Sequence, residues 1–336
     1  MFRRSLPTRR RSFAARPRYV GLRTLVGRQS GVYRGVRTPS VPRRLVGSPS
    51  MFGLLLCLPS FLSVVVLNIF PFLWVIYIAF TDVNLYKGTI TFTGLENFLS
   101  VAHSEDFLSS VWLTVEYSAY VVVGASVIGL LIALVLNNEF RGRSVVRSLL
   151  VIPWAIPWIV NGFLWSWILD ANFGLVNGIL FQVGLINGYI VFFSPELALP
   201  LTALAAAWIQ SSFTGLMCLS GLQAIPHDMY DSADVDGADV LQKFRHITFP
   251  WIRPTWGMAT LVNAIVGLTM FDLIFIMTKG GPGTSTLLLP FLVFRQFFIA
   301  LKIGEGAALS LMLTLLVLSV SLFYMILLYR RARFYR

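Results

Sequence analysis

From residue 52 to residue 80 the chain carries no charged side chain. That run exceeds the roughly 20 residues an α-helix needs to cross the hydrocarbon core of a bilayer, and in lipid its backbone amides must be satisfied within the segment, so it is predicted to be helical. Pro59 and Pro71 interrupt it only as prolines do in membrane helices. Five further apolar runs follow, at residues 117–136, 149–169, 197–222, 255–277 and 307–329. Charged residues make up 12% of the chain and hydrophobic ones 56%, where soluble domains carry about 25% charge. The expected fold is an all-α integral membrane protein of six transmembrane helices.

The formal charge of +12 would suit a nucleic-acid binder only if the cations formed a face on a folded domain. Instead they sit at the chain ends and between the apolar runs. Residues 1–50 hold thirteen arginines and no acid, a composition that cannot bury enough apolar surface to fold. This stretch is expected to be a disordered, arginine-rich cytoplasmic tail, too long for a signal peptide and able to meet anionic lipid. Arg141, Arg143 and Arg147 form a short basic turn, Lys243, Arg245 and Arg253 a second, and Arg330, Arg331, Arg333 and Arg336 end the chain. Together with the tail they account for 23 of the 27 basic residues. By the positive-inside rule those segments are cytoplasmic, and both termini with them. Residues 81–112 and 170–196 then lie outside. Within the latter, residues 178–193 are expected to be interfacial or re-entrant, because Gly184, Asn187 and Gly188 interrupt them. Residues 287–300, with Pro290, Arg295 and Gln296, are expected to lie along the outer surface. The third span should be kinked by Pro153 and Pro157, and the fourth is rich in Ala, Gly and Ser, which lets helix backbones approach closely.

One soluble-looking island remains, at residues 225–250. Pro226 followed by Asp228 and Asp231 marks a helix start, since proline loses nothing in the first turn and carboxylates there face the positive end of the helix dipole. Gly237 is expected to break that helix, a second short helix to run from residue 238 to about 246, and Pro250 to close the segment. The product would be a compact helical knob offered to a soluble partner.

Asp231-Ser232-Ala233, Asp236-Gly237-Ala238, Phe244, Ile247 and Pro250 resemble the cytoplasmic "EAA" loop of the inner-membrane permease subunits of binding-protein-dependent ABC importers. The spacing matches throughout; Asp231 stands where glutamate is usual and Ser232 where alanine is. Phe271-Asp272-Leu273-Ile274, Thr278 to Pro282, Gly304 to Ala308, Arg141-Gly142-Arg143 with Arg147 and Pro153, and Asn172, Gly174 and Asn177 resemble carbohydrate-type permeases of the maltose and glycerol-phosphate kind. The resemblance covers residues 52–329. It implies a type I importer permease domain over residues 51–336 in the cell membrane, with residues 222–253 as the coupling loop that fits a cleft on an ATPase subunit. Asp231 would lie near basic or polar groups there, and Gly237 would give the turn. Implied partners are a second permease, two ATPase subunits and an extracytoplasmic solute-binding protein, with ATP and Mg on the ATPases. This chain has no Gly-x4-Gly-Lys-Ser/Thr run to hold nucleotide itself and is expected to bind no cofactor.

Candidate substrate contacts are fewer. Asp272 is the one acid inside a predicted span, and an ionisable group there is a functional candidate by default; its rival role is a structural carboxylate near Lys279. Asn161, Gln210 and Asn263 could hydrogen-bond sugar hydroxyls with Trp165 or Trp208 as a stacking face, or could simply join helices. Cys57 and Cys218 fall in apolar runs and the three histidines are scattered, so no disulfide or zinc motif is expected. Asp228, Asp231, Asp234, Asp236 and Asp239 lack the distal glutamate of a calcium loop. A solvated connector, or the metal site of a phosphotransferase-like membrane enzyme acting on a lipid-linked substrate, stay open as alternatives.

Overall fold

The computed structural model describes residues 49–85 and 87–332. All but the last two residues of the predicted tail, together with Arg333 and Arg336, lie outside the described residues. Contacts divide the chain into two units at Val65. In the first, α1 (Pro49–Val64) contains Pro59, and the Ser63 hydroxyl donates to the Pro59 carbonyl at 2.9 Å. Leu54, Leu56 and Phe61 are mostly exposed, as apolar side chains facing lipid would be.

The second unit begins in a π-helical turn (Val65–Ile69) and continues as α2 (Phe70–Ala79). Next come β1 (Thr81–Asn84), β2 (Thr89–Phe92), α3 (Glu96–Ala102) and α4 (Glu105–Asn137). The two strands pair antiparallel with Thr81 opposite Phe92, so the fold is helical but not wholly α. The β-branched Val83, Thr89, Ile90 and Thr91 favour the extended backbone. After them come α5 (Arg143–Ala155), α6 (Trp158–Ile168), α7 (Leu175–Gln182), α8 (Ala198–Leu222), α9 (His227–Val235), α10 (Val240–Lys243), α11 (Phe249–Leu268), α12 (Asp272–Met277), α13 (Leu289–Phe294) and α14 (Ile303–Ala332).

Four helices among the described residues are long and apolar enough to cross a membrane: Gly53–Ala79, α4, α8 and Ile303–Leu328. The pair α5–α6 makes a fifth if it is one span, but it is bent by 98° where Pro157 follows Ile156, a far sharper break than the kink the prolines predict. The run expected as a single span at 255–277 is two helices, α11 and α12, separated by residues 269–271. α11 falls short of the others in apolarity, with Arg253, Thr255, Thr260 and Asn263 along it.

α4, α8 and α11 pack on one another at the centre, and small residues set how close they come. A Cβ on Gly129 would lie 2.6 Å from Thr214 Cβ and 2.8 Å from the Ser211 carbonyl oxygen, so α4 and α8 meet at near backbone contact. The Ser118 hydroxyl donates to the Ala264 carbonyl at 3.0 Å, joining α4 to α11.

Of residues 287–300, expected along the surface, only the end is exposed, at Phe298 and Ile299; the first part is buried. Leu287, Leu288, Leu289 and Leu292 are buried with Tyr117, Leu273 and Leu309 in the main core cluster. The Leu289 N–H donates to Thr114 Oγ1 at 2.8 Å, so an α4 hydroxyl satisfies a donor that the start of α13 leaves free. Residues 178–193 are no span either: α7 stops at Gln182. The Asn177 amide pins the following coil by donating to the Ile190 carbonyl at 2.9 Å and accepting from the Ile190 N–H at 3.0 Å.

Candidate functional site

The island between α8 and α11 folds as a helix, a turn and a helix. α9 follows directly on Pro226, its N-cap, and is closed by Asp236 as C-cap. Gly237 follows at φ +74°, the left-handed conformation glycine adopts without strain. The Gly237 N–H donates to the Asp234 carbonyl at 3.1 Å and the Ala238 N–H to the Ala233 carbonyl at 2.9 Å, the two bonds of a Schellman termination. Asp239 then caps α10: its carboxylate accepts from the Gln242 N–H at 2.7 Å while Gln242 Oε1 accepts from the Asp239 N–H at 2.9 Å, a reciprocal capping box. Lys243 pairs with Asp234 across the turn.

Pro250 does not close the segment. A π-helical turn (Phe244–Thr248) carries α10 directly into α11, with the Phe249 N–H donating to the Phe244 carbonyl, and Pro250 sits in the first turn of α11. The π register absorbs the missing proline donor, so the helix runs on where a terminator was expected.

The knob is anchored on one side and bare on the other. Met229, Tyr230 and Ile247 pack against Leu136, Leu219, Leu222, Ile225 and Ile252, which belong to the ends of α4 and α8, the connector and the start of α11. Asp231 and Asp236 are exposed, Ala233, Ala238, Phe244 and Pro250 half-buried, and the Ser232 hydroxyl is turned back onto the Asp228 carbonyl at 2.8 Å. Phe244 packs on Phe249, ring centroids 5.9 Å apart. Val235 is 88% exposed, Val240 84% and Leu241 71%. The sequence reading missed these three; three aliphatics set among the island's polar residues were the signal.

A second feature is a cleft of about 250 Å³ at the bend between α5 and α6, lined by Trp154, Trp158, Ile209, Gln210, Phe213 and Val262 among others. Trp154 and Phe213 stack with centroids 6.2 Å apart. Gln210 Nε2 donates to Asn263 Oδ1 at 3.1 Å, and Asn263 Nδ2 donates to Thr214 Oγ1 at 2.9 Å. Gln210 Oε1 has no hydrogen-bond partner among the described residues. Aromatic faces beside one free amide oxygen can stack on an apolar ring face and accept from a hydroxyl.

Of the five substrate-pathway candidates, Gln210 alone lines this cleft. Asn263 is buried behind it. Asn161 donates to the Ala205 carbonyl at 3.1 Å, bridging α6 to α8, and its Oδ1 is unpartnered. Trp165 meets Trp208 edge-on at 6.1 Å. Asp272 begins α12, half-buried and away from the cleft lining. Nothing local in the sequence points to Trp154 and Phe213, which meet only through the packing of α5 on α8. No three His, Cys, Asp or Glu side chains among the described residues converge as a metal site requires, so the aspartate-rich island lacks the ligand geometry that the enzyme alternative needs.

Residues 125–334 match the model of the family described as binding-protein-dependent transport system inner membrane component. The chain is 33% identical over 273 residues to the trehalose/maltose transport system permease protein MalF of Thermococcus litoralis, covering 81% of this chain and 92% of that protein. It is 34% identical over 276 residues to the sulfoquinovosyl glycerol transport system permease protein SmoG of Agrobacterium fabrum, covering 82% and 89%. The fold is similar to that of a chain in the crystal structure of a bacterial ABC transporter involved in the import of the acidic polysaccharide alginate, at a TM-score of 0.73, 22% identity and 83% and 95% coverage. With its family model spanning well over half of the sequence, this chain belongs to the inner membrane components of binding-protein-dependent transport systems.

Proposed function

We propose that this chain is the membrane-spanning permease subunit of an ATP-driven importer for a sugar or related polyol. It would work beside a second permease, two ATPase subunits that hold ATP and Mg, and an extracytoplasmic binding protein that delivers the solute. Six spans are assigned, the α5–α6 pair and α11 completing the four long apolar helices, with both termini cytoplasmic. The distribution of 23 of 27 basic residues supports that orientation.

The observation that carries the reading is the knob: a capped helix–turn–helix with bare aliphatics at its tip and a base packed on three core helices. Force applied to it by a closing ATPase pair would reach α4, α8 and α11 together and rock the bundle about a central site, a common route to alternating access. Asp231, Ser232, Ala233, Asp236, Gly237, Ala238, Phe244 and Pro250 are assigned to that coupling. The aromatic cleft with Gln210 is assigned to solute passage, and the relatives' names, trehalose/maltose and sulfoquinovosyl glycerol, favour a carbohydrate.

The test is affinity purification of the tagged chain from its native membrane. Wild type should bring down an ATPase with a phosphate-binding glycine loop, and Asp231→Phe combined with Gly237→Phe should lose it. No ATPase with wild type, or equal recovery with the double variant, overturns the proposal.

A further inference from the structure

On the opposite face of α11 from the aromatic cleft, a groove of about 460 Å³ opens between α4, α11 and α14. Its walls include Val123, Val127 and Leu327, all exposed, and its polar members are Ser126, Arg253, Trp256, Thr260 and Tyr324. The Arg253 guanidinium forms no ion pair or hydrogen bond among the described residues. The Trp256 indole N–H and the Ser126 hydroxyl, also of this groove, are buried without a partner.

Charge along the three helices is one-sided. Their acids, Glu105, Asp106, Glu116 and Glu305, all stand towards the far ends of α4 and α14. At the end that carries the knob, α11 offers Arg253. An occupant of this groove therefore meets a cation at the knob end and apolar walls deeper in, and it must bring an acceptor, because the Arg253 guanidinium can only donate.

We infer that the groove is a binding site for an anionic glycerophospholipid, with its phosphate at Arg253 and its acyl chains along Val123, Val127 and Leu327. A zwitterionic lipid brings a cation beside its phosphate and leaves the site with a net positive charge, and an apolar helix from another chain supplies neither the charge nor the acceptors. α11 is also the helix that continues through the π turn into the knob, so the lipid sits on the element that transmits motion.

The experiment is native mass spectrometry of the full chain from detergent containing equal phosphatidylglycerol and phosphatidylcholine. Wild type should retain one phosphatidylglycerol in preference to phosphatidylcholine by about fivefold, the worth of one basic residue at an anionic surface. Arg253→Gln should abolish that preference and Arg253→Lys keep it. Val127→Trp, which fills the groove without touching the charge, should lose the bound lipid. Arg141→Gln, at an exposed residue outside the groove, should behave as wild type. A preference for phosphatidylglycerol kept at the wild-type level in Arg253→Gln, or unchanged retention in Val127→Trp, overturns the site. So does a disulfide between copies bearing Val123→Cys in native membranes, which would show a second chain covering the groove.

Discussion

The Tyr230 hydroxyl lies 2.9 Å from Thr248 Oγ1, and this one bond ties α9 to the π turn that leads into α11. Thr248 is buried at that point and Tyr230 half-buried, so the bond is partly shielded from competition with water. With the Lys243–Asp234 pair and the apolar packing, it joins the two arms of the knob.

Tyr230→Phe keeps the ring and its packing and removes the bond. A net hydrogen bond is worth about 1 kcal/mol, so amide exchange in α9 should speed up about fivefold while exchange in α8 stays as in wild type. An unchanged α9 would mean that the apolar contacts and the Lys243–Asp234 pair hold the arms together without this bond.

Gly237 separates two explanations of its own importance. Nothing lies within 4 Å of a Cβ added there, yet its φ is +74°, so a substitution is penalised by backbone conformation and not by a clash within this chain. Asn, which tolerates the left-handed region, should therefore preserve ATPase recovery. Val should reduce it severalfold, because the conformation costs a β-branched residue about 1–2 kcal/mol. If Asn fails as badly as Val, the partner rather than the turn reads the missing side chain.

These two sites also mark how far the sequence could be followed. Pro226, Asp228 and Gly237 act through local backbone chemistry, so the first helix and the turn were legible from their spacing. Pro250 carries an equally local signal and misled, because a π turn five residues long shifted the hydrogen-bond register in front of it. Residues 287–300 looked superficial from Pro290 and Arg295, but their leucines are buried by tertiary contacts with α4 and α14 that no local pattern encodes. The cleft was least legible: Gln210 and Asn263 are 53 positions apart, and Trp154 meets Phe213 through the packing of α5 on α8.

The bare aliphatics of the knob give a prediction with a clean control. Val235 and Leu241 are 88% and 71% exposed, so Val235→Ser with Leu241→Ser removes almost no buried surface from this chain and should leave its thermal unfolding unchanged. Recovery of the ATPase should still fall at least tenfold, since two aliphatics buried in an interface contribute about 1.5–3 kcal/mol each. Unaltered recovery would move the docking surface away from the tip.

The Gln210, Asn263 and Thr214 chain can be tested for whether it joins helices or handles solute. Asn263→Leu strands the Gln210 amide N–H, and a buried donor left without a partner costs about 1–3 kcal/mol, so the melting temperature should drop. Gln210→Leu with Asn263→Leu removes donor and acceptor together and should recover much of that loss, a coupling that a double-mutant cycle reads directly. Stability recovered in this way still leaves Gln210 Oε1 missing from the cleft. Uptake in reconstituted vesicles should therefore stay impaired in the double variant, with a raised KM. Asn263→Asp, which keeps an acceptor for the Gln210 amide and leaves Oε1 in place, should bring KM back towards wild type. If the stabilised double variant instead transports at the wild-type KM, the amide chain is only a brace between α8 and α11, and the solute path runs elsewhere.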